Sequence, residues 1–166
     1  MIDRRVLLSA AAGLAAGWLS LSGKAQAEKA AGKFPVEKTP EEWKRQLTPA
    51  QYHILREEGT EPAFSSPLNK EHRKGTFACV GCDQALFASE TKFDSGTGWP
   101  SFYDHLPNAI GTTTDRSYFM VRTAVHCSRC GGHLGHVFND GPKPTSLRYC
   151  MDGLALNFKP AAVSAS

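Results

Sequence analysis

Two Cys-x-x-Cys pairs, Cys79-Val80-Gly81-Cys82 and Cys127-Ser128-Arg129-Cys130, constrain this chain more than any other feature. A CxxC turn lets two thiolates point at one centre, and two such turns complete a four-sulfur tetrahedral shell. Gly81 lies within the first turn and Gly131 and Gly132 follow the second, where glycine permits the φ > 0 geometry that tight turns need. The gap of 44 residues between the pairs is longer than the usual zinc-ribbon spacing. Two other uses of the same residues therefore stay open. Either pair would serve as a redox dithiol, although the thioredoxin version belongs to a βαβ context that this sequence lacks. An exported chain would also oxidise the four to disulfides. One metal ion held by all four is the favoured reading.

The chain has five cysteines, so four ligands leave Cys150 over. A lone thiol is commonly a buried apolar filler, but here its neighbours argue otherwise. On a strand the side chains at i−2, i and i+2 share a face. Arg148, Cys150 and Asp152 are then expected to line up, with a guanidinium beside the sulfur. A nearby cation lowers a thiol pKa and raises the reactive thiolate fraction. That makes Cys150 a candidate nucleophile.

The remaining organisation follows from punctuation. Arg4-Arg5 precede an uncharged run of 18 residues from Val6 to Gly23, and Ala25-Gln26-Ala27 supplies an A-x-A pattern. This is the anatomy of a secretory signal bearing a twin-arginine export address, so residues 1–27 are expected to be removed and the protein to be periplasmic. The run sits at the lower limit of a membrane span, roughly 20 residues, so an uncleaved membrane anchor is the alternative; removal is the favoured reading, with no stable membrane association after cleavage. Without the signal, the formal charge falls from +3 to +1. An excess that small is no nucleic-acid footprint. Residues 28–38 read as a linker, residues 39–160 as one domain and 161–166 as a tail. Thr39-Pro40-Glu41-Glu42 and Thr48-Pro49-Ala50-Gln51 each place a capping hydroxyl, a first-turn proline and a side-chain acceptor. They predict two short helices, the second ending near Gly59. Beyond residue 60, turn residues recur every few positions. Strands are predicted over 76–80, 117–125, 134–138, 147–151 and 154–158, as in an antiparallel β domain with long functional loops.

At this point the sequence resembles the type B methionine sulfoxide reductases. The markers are LTPAQYHILREEGTEPAF, CVGC, KFDSGTGWPSFYD, the second CxxC, GHLGHVFNDGP and RYCMDGLALNF, spanning about Trp43 to Pro160. The resemblance implies a mainly β, antiparallel domain of the β-tent (Mss4-like) type with two short N-terminal helices. It further implies one structural zinc on Cys79, Cys82, Cys127 and Cys130, and Cys150 as nucleophile toward the R epimer of methionine sulfoxide in oxidised peptides or proteins. Trp99 is implied as the aromatic that holds the substrate methyl group, with Phe102 of the same GWPSF motif beside it. His133, His136 and Arg148 fall at active-site positions. A histidine titrating near neutrality suits protonation of the sulfoxide oxygen, and His136 is the expected donor with His133 in support. The two histidines are three apart, which puts them on opposite faces of a regular strand unless Gly135 bulges it. Either histidine also has a plainer use, on the surface or on the metal, and Trp99 has one in the core.

Two positions depart from the family pattern. Thr97 stands where many relatives carry a recycling cysteine, so the Cys150 sulfenic acid is expected to be reduced by an external thiol, thioredoxin-like or small. Asp152 stands where the pattern shows Asn, which both donates and accepts hydrogen bonds, whereas ionised Asp only accepts. Asp152 is expected to pair with Arg148 or to be protonated when substrate binds. A zinc-stabilised binding module and a CxxC disulfide oxidoreductase are the competing functions.

Overall fold

The two Thr-Pro segments each cap a helix. In a computed structural model, which describes residues 33–162, α1 spans Pro40–Gln46 and α2 spans Pro49–Glu57. Thr39 and Thr48 are the N-caps, each accepting from the third helical N–H, and Glu42 and Gln51 reach back to the cap backbone. Both are reciprocal capping boxes, which is why helices this short hold their ends. The helix α2 ends in Glu58 at φ 57°, one residue before Gly59. The expected signal segment and residues 28–32 of the linker lie outside the described residues. Among the described residues no helix is long and apolar enough to cross a membrane.

Among the described residues nine short strands follow, in two antiparallel sheets. β1 (Gly75–Cys79) is flanked by β2 (Ala85–Ala88) and β9 (Leu156–Pro160). The larger sheet runs β3-β4-β8-β7-β6-β5, built from β3 (Lys92–Phe93), β4 (Ser101–Phe102), β5 (Ile110–Asp115), β6 (Arg122–Cys127), β7 (His133–Phe138) and β8 (Arg148–Met151). The core lies where the sheets face each other. Phe87 of β2 stacks on Phe102 of β4 at 4.4 Å between ring centroids, and Phe77 of β1 meets Phe102 edge-on at 4.9 Å. Trp43, Ile54 and Leu55 close one side of this core from the helices.

The expected mainly β architecture is what the chain adopts, with some boundaries moved. The strand expected from 117 begins only at Arg122, because Ser117–Phe119 forms a 3₁₀ turn with Tyr118 at φ 54°. The Asp115 carboxylate closes that turn by accepting from the Ser117 N–H and the Arg122 guanidinium. The strand expected from 154 begins at Leu156, after a 3₁₀ turn over Gly153–Ala155. Strands β2, β3, β4 and β5 were not expected. Two of them are only two residues long, and β5, with three threonines, sits at the sheet edge.

Candidate active site

The two CxxC turns adopt the same backbone. In the first, Asp83 N–H donates to the Cys79 carbonyl at 2.8 Å and Cys79 N–H to the Gln84 carbonyl at 2.8 Å. In the second, Gly131 donates to Cys127 and Cys127 to Gly132, both at 2.9 Å. The left-handed residue is the one after each second cysteine, Asp83 at φ 65° and Gly131 at φ 67°. Gly81 therefore serves another purpose than the one expected. A Cβ there would stand 2.9 Å from Leu55 of α2, so its bareness lets the helix pack on the turn.

All four cysteines are free thiols, and their Sγ atoms lie within 4.8 Å of one another. The Cys79–Cys130 and Cys82–Cys127 pairs are 3.7 Å and 3.5 Å apart. A tetrahedral tetrathiolate with metal–sulfur bonds of about 2.3 Å has edges of about 3.8 Å, so the cluster fits a metal ion. Four thiolates this close repel unless a cation sits among them. The cluster joins the β1–β2 hairpin of one sheet to the β6–β7 hairpin of the other. The helices brace it: Gln46 Nε2 donates to the Gly81 carbonyl at 2.6 Å and Arg56 Nη1 to the Cys130 carbonyl at 3.0 Å.

A second constellation gathers on one face of the larger sheet. Cys150 on β8 is the register partner of both Ser101 on β4 and His136 on β7. The β6–β7 register pairs His136 with Ala124 and His133 with His126, so Leu134 and Gly135 oppose Val125 alone. This is the bulge the histidine spacing requires: Ala124 and His126 share a face, and so now do His133 and His136, their rings 5.3 Å apart. Gly135 has φ 147°, and a Cβ on it would fall 2.2 Å from the Cys150 carbonyl oxygen. No other residue fits there.

His136 is held by an acid that sequence reasoning missed. Its Nε2 is 2.8 Å from Asp115 Oδ2, which also accepts from Arg122 Nη2 at 2.6 Å. Burial pushes the Asp115 carboxyl up, but hydrogen bonds from Ser117 and His136 and the charge of Arg122 outweigh it and hold it well below the usual carboxylate range. Ionised Asp115 can only accept, so the Nε2 of His136 carries the proton and Nδ1 is the free atom. Burial lowers the His136 pKa despite Asp115. His133 is 5% exposed, and burial together with the neighbouring His136 takes it down to about 3. Both rings rest neutral at pH 7.

Cys150, the expected nucleophile, is half-buried. Its Sγ lies 3.8 Å from Thr97 Oγ1, and Ser95 Oγ bridges Thr97 Oγ1 (2.8 Å) and Ser101 Oγ (2.7 Å). Burial pushes the Cys150 thiol up and Asp152 adds to this, against the Thr97 hydroxyl and Arg148, and the net direction is upward. The lowering expected from Arg148 is present but outweighed.

Arg148 does not pair with Asp152. It forms a two-pronged ion pair with Asp140, from Nε and Nη2 at 2.9 Å each, and lies over the Phe138 ring at 4.5 Å. Strand β8 ends at Met151, and Asp152 turns inward, where its Oδ1 accepts from the Glu61 N–H at 2.9 Å. Burial, with the Glu61 carboxylate nearby, pushes Asp152 up to about 7. The expected pairing with Arg148 is therefore absent, and Asp152 changes charge near neutral pH. Glu61, also missed from sequence, is a keystone. Its side chain accepts from the N–H groups of Gly153 and Leu154, and its carbonyl accepts from Trp99 Nε1 at 3.1 Å. One buried residue so ties the segment after Cys150 to the Trp99 indole. Phe102, expected beside the substrate, is fully buried in the aromatic core. It supports β4 from below, while its neighbour Ser101 faces Cys150.

The chain is similar to known proteins over about three quarters of its length. Residues 47–160 match the family model described as SelR domain. Over 125 residues the chain is 58% identical to a "Peptide methionine sulfoxide reductase MsrB" of Methanosarcina barkeri, covering 75% of this chain and 88% of that protein. It is 52% identical over 127 residues to the protein of that name from Leptospira interrogans, covering 76% and 97% of the two chains. The protein of that name from Agrobacterium fabrum is 52% identical over 126 residues, covering 75% and 93%.

Proposed function

The chain belongs to the SelR-domain family of peptide methionine sulfoxide reductases, and from that premise we propose that Cys150 reduces the R epimer of methionine sulfoxide through a sulfenic acid. The carrying observation is the convergence of Cys150, His136 and an ionised Asp115 on one sheet face. Neutral His136, its Nε2–H committed to Asp115, has Nδ1 free to take the Cys150 proton. The imidazolium, stabilised by Asp115, then returns the proton to the sulfoxide oxygen as the thiolate attacks sulfur. A thiol whose resting pKa is raised makes such a base necessary. In the net step the oxygen leaves the substrate sulfur, which gains two electrons, and Cys150 gains the oxygen as a sulfenic acid. The Trp99 ring, anchored through its N–H to Glu61, presents an apolar plane to the S-methyl group.

Thr97 occupies the contact position from which a second cysteine would resolve the sulfenic acid. The other four thiols form the metal cluster. An external thiol therefore condenses with the sulfenic acid, releasing water, and a second thiol equivalent frees Cys150. Zinc is the ion we assign to the cluster, from its four sulfurs and their tetrahedral spacing; it supplies structural closure and no open ligand position. Arg4-Arg5, the apolar run and the A-x-A pattern support export by the twin-arginine route to the periplasm.

Separated R and S epimers of N-acetyl-methionine sulfoxide test the reading with dithiothreitol as donor. The R epimer should be consumed and the S epimer left; consumption of S alone, or of neither, would refute it. A second expected result concerns Asp152. Ionisation near pH 7 places a negative charge beside Cys150 and opposes its thiolate. For Asp152→Asn, kcat/KM should match wild type below about pH 6, exceed it by an amount that grows between about pH 6 and 8, and grow no further above that. The same shift bears on stability. A carboxyl whose folded pKa lies above its unfolded value stabilises most below the unfolded value, and loses that contribution as pH rises through about 7. Wild type should therefore lose thermal stability relative to Asp152→Asn between pH 4 and 8. Superimposable pH profiles would show that Asp152 stays in one charge state throughout.

A further inference from the structure

The described residues include six large apolar residues that are exposed: Phe64, Tyr118, Phe119, Met120, Val121 and Leu154. All six belong to segments bonded to the active site. The turn carrying Tyr118 to Val121 is closed by Asp115, the residue that holds His136. Phe64 N–H donates to the Gly98 carbonyl at 2.7 Å, directly before Trp99, and Leu154 N–H donates to the Glu61 carboxylate. Phe119 is wholly exposed and Tyr118 is 80% exposed. Among the described residues no other large apolar side chain is exposed.

Three of these residues are also held in an unfavourable backbone. Phe64, Tyr118 and Phe119 have φ of 65°, 54° and 58°, a region in which bulky side chains are outliers. Exposed apolar patches mark interaction sites, and backbone outliers of this kind cluster at ligand clamps. Their placement is two-sided. In the sheet order β3-β4-β8-β7-β6-β5, the Tyr118–Val121 turn joins the last two strands. Phe64 and Leu154 stand on the side of Trp99 and Glu61, with Cys150 on β8 between the two groups.

We propose that these two apolar patches form a docking surface for an extended polypeptide substrate, gripping apolar residues on either side of the methionine sulfoxide. The proposal rests on the reductase reading and names what that site takes beyond the sulfoxide itself. Substrate chemistry selects this occupant. Methionine is a core residue, and oxidation makes it polar and disrupts the core it came from. A segment presenting a sulfoxide therefore brings the apolar neighbours of a former core with it. A chain threaded through the site meets the patches on both sides.

Nine-residue peptides with a central methionine-R-sulfoxide, flanked by Leu, Phe and Val or by Ser and Gly, provide the test alongside N-acetyl-methionine-R-sulfoxide. The variant is Tyr118→Asn with Phe119→Asn, since Asn tolerates the left-handed region and the fold keeps its turn. Wild type should prefer the apolar-flanked peptide by about tenfold in kcat/KM. The variant should lose most of that preference through KM, with N-acetyl-methionine-R-sulfoxide turnover and thermal midpoint unchanged or slightly raised. Equal use of both peptides by wild type overturns the proposal alone, as does a preference the variant retains. A wild-type chain that consumes no sulfoxide overturns the reductase reading and the proposal with it. Sedimentation velocity and co-sedimentation with phosphatidylglycerol-containing vesicles cover the other occupants. A dimer or a vesicle-bound state that the double variant abolishes assigns the patches elsewhere.

Discussion

Replacing any one of Cys79, Cys82, Cys127 and Cys130 by serine is expected to lower the thermal midpoint by about 20 °C or to prevent folding altogether. The size follows from what the cluster joins. Each CxxC turn closes a hairpin of a different sheet, so a metal ion held by the cluster would cross-link the two layers of the fold. Structural zinc contributes apparent free energies of about 10–16 kcal/mol in small peptides, against a net stability of about 5–15 kcal/mol for a whole domain. Even a loss of about 5 kcal/mol would shift the midpoint of a domain this size by roughly 15–25 °C. The lost ligand also leaves three thiolates crowded near a weakened ion. The damage should reach the active site, because His133 lies three residues after Cys130 and its bulge is built on that hairpin. Circular dichroism melting with metal analysis of each variant measures this. Variants with wild-type midpoints and no bound metal would show that the aromatic core alone holds the sheets.

Cys150→Ser should behave in the opposite way, folding normally and losing about 10⁴-fold or more in kcat. Serine is nearly isosteric and Cys150 is only half-buried, so the midpoint should move by no more than a few degrees. The hydroxyl is a far weaker nucleophile than a thiolate and cannot accept the oxygen as a sulfenic acid. His136 and Asp115 remain in place in this variant but have no thiol to activate. A large stability loss at the four clustered cysteines paired with a pure activity loss at the fifth would separate a metal-holding role from a nucleophilic one.

Local signals were legible in the sequence and long-range ones were not. The two capping boxes read correctly because every partner lies within four residues. The bulge at Gly135 also read correctly, since two histidines three apart share a strand face only if the strand is distorted. Asp115 escaped notice because its D-x-S spacing announces a turn but not its bond to His136, 21 residues away. Glu61 was hidden for the same reason, its carboxylate meeting backbone N–H groups 92 and 93 residues away. The Arg148–Asp152 pair failed because the i, i+2 rule was carried past the end of β8, and Asp140, across the turn, offered the guanidinium both oxygens. Phe102 was misplaced by alternation: its neighbour Ser101 takes the active-site face, so the ring must take the core.

The most direct test is a single turnover without reductant. Wild-type protein, metal-replete, is mixed with one equivalent of methionine-R-sulfoxide peptide and the Cys150 peptide is weighed after trapping with dimedone. The mechanism predicts one equivalent of methionine peptide and a trapped sulfenic acid on Cys150, with Cys79, Cys82, Cys127 and Cys130 unmodified. A disulfide between Cys150 and any of those four, or methionine formed with Cys150 unoxidised, would contradict it.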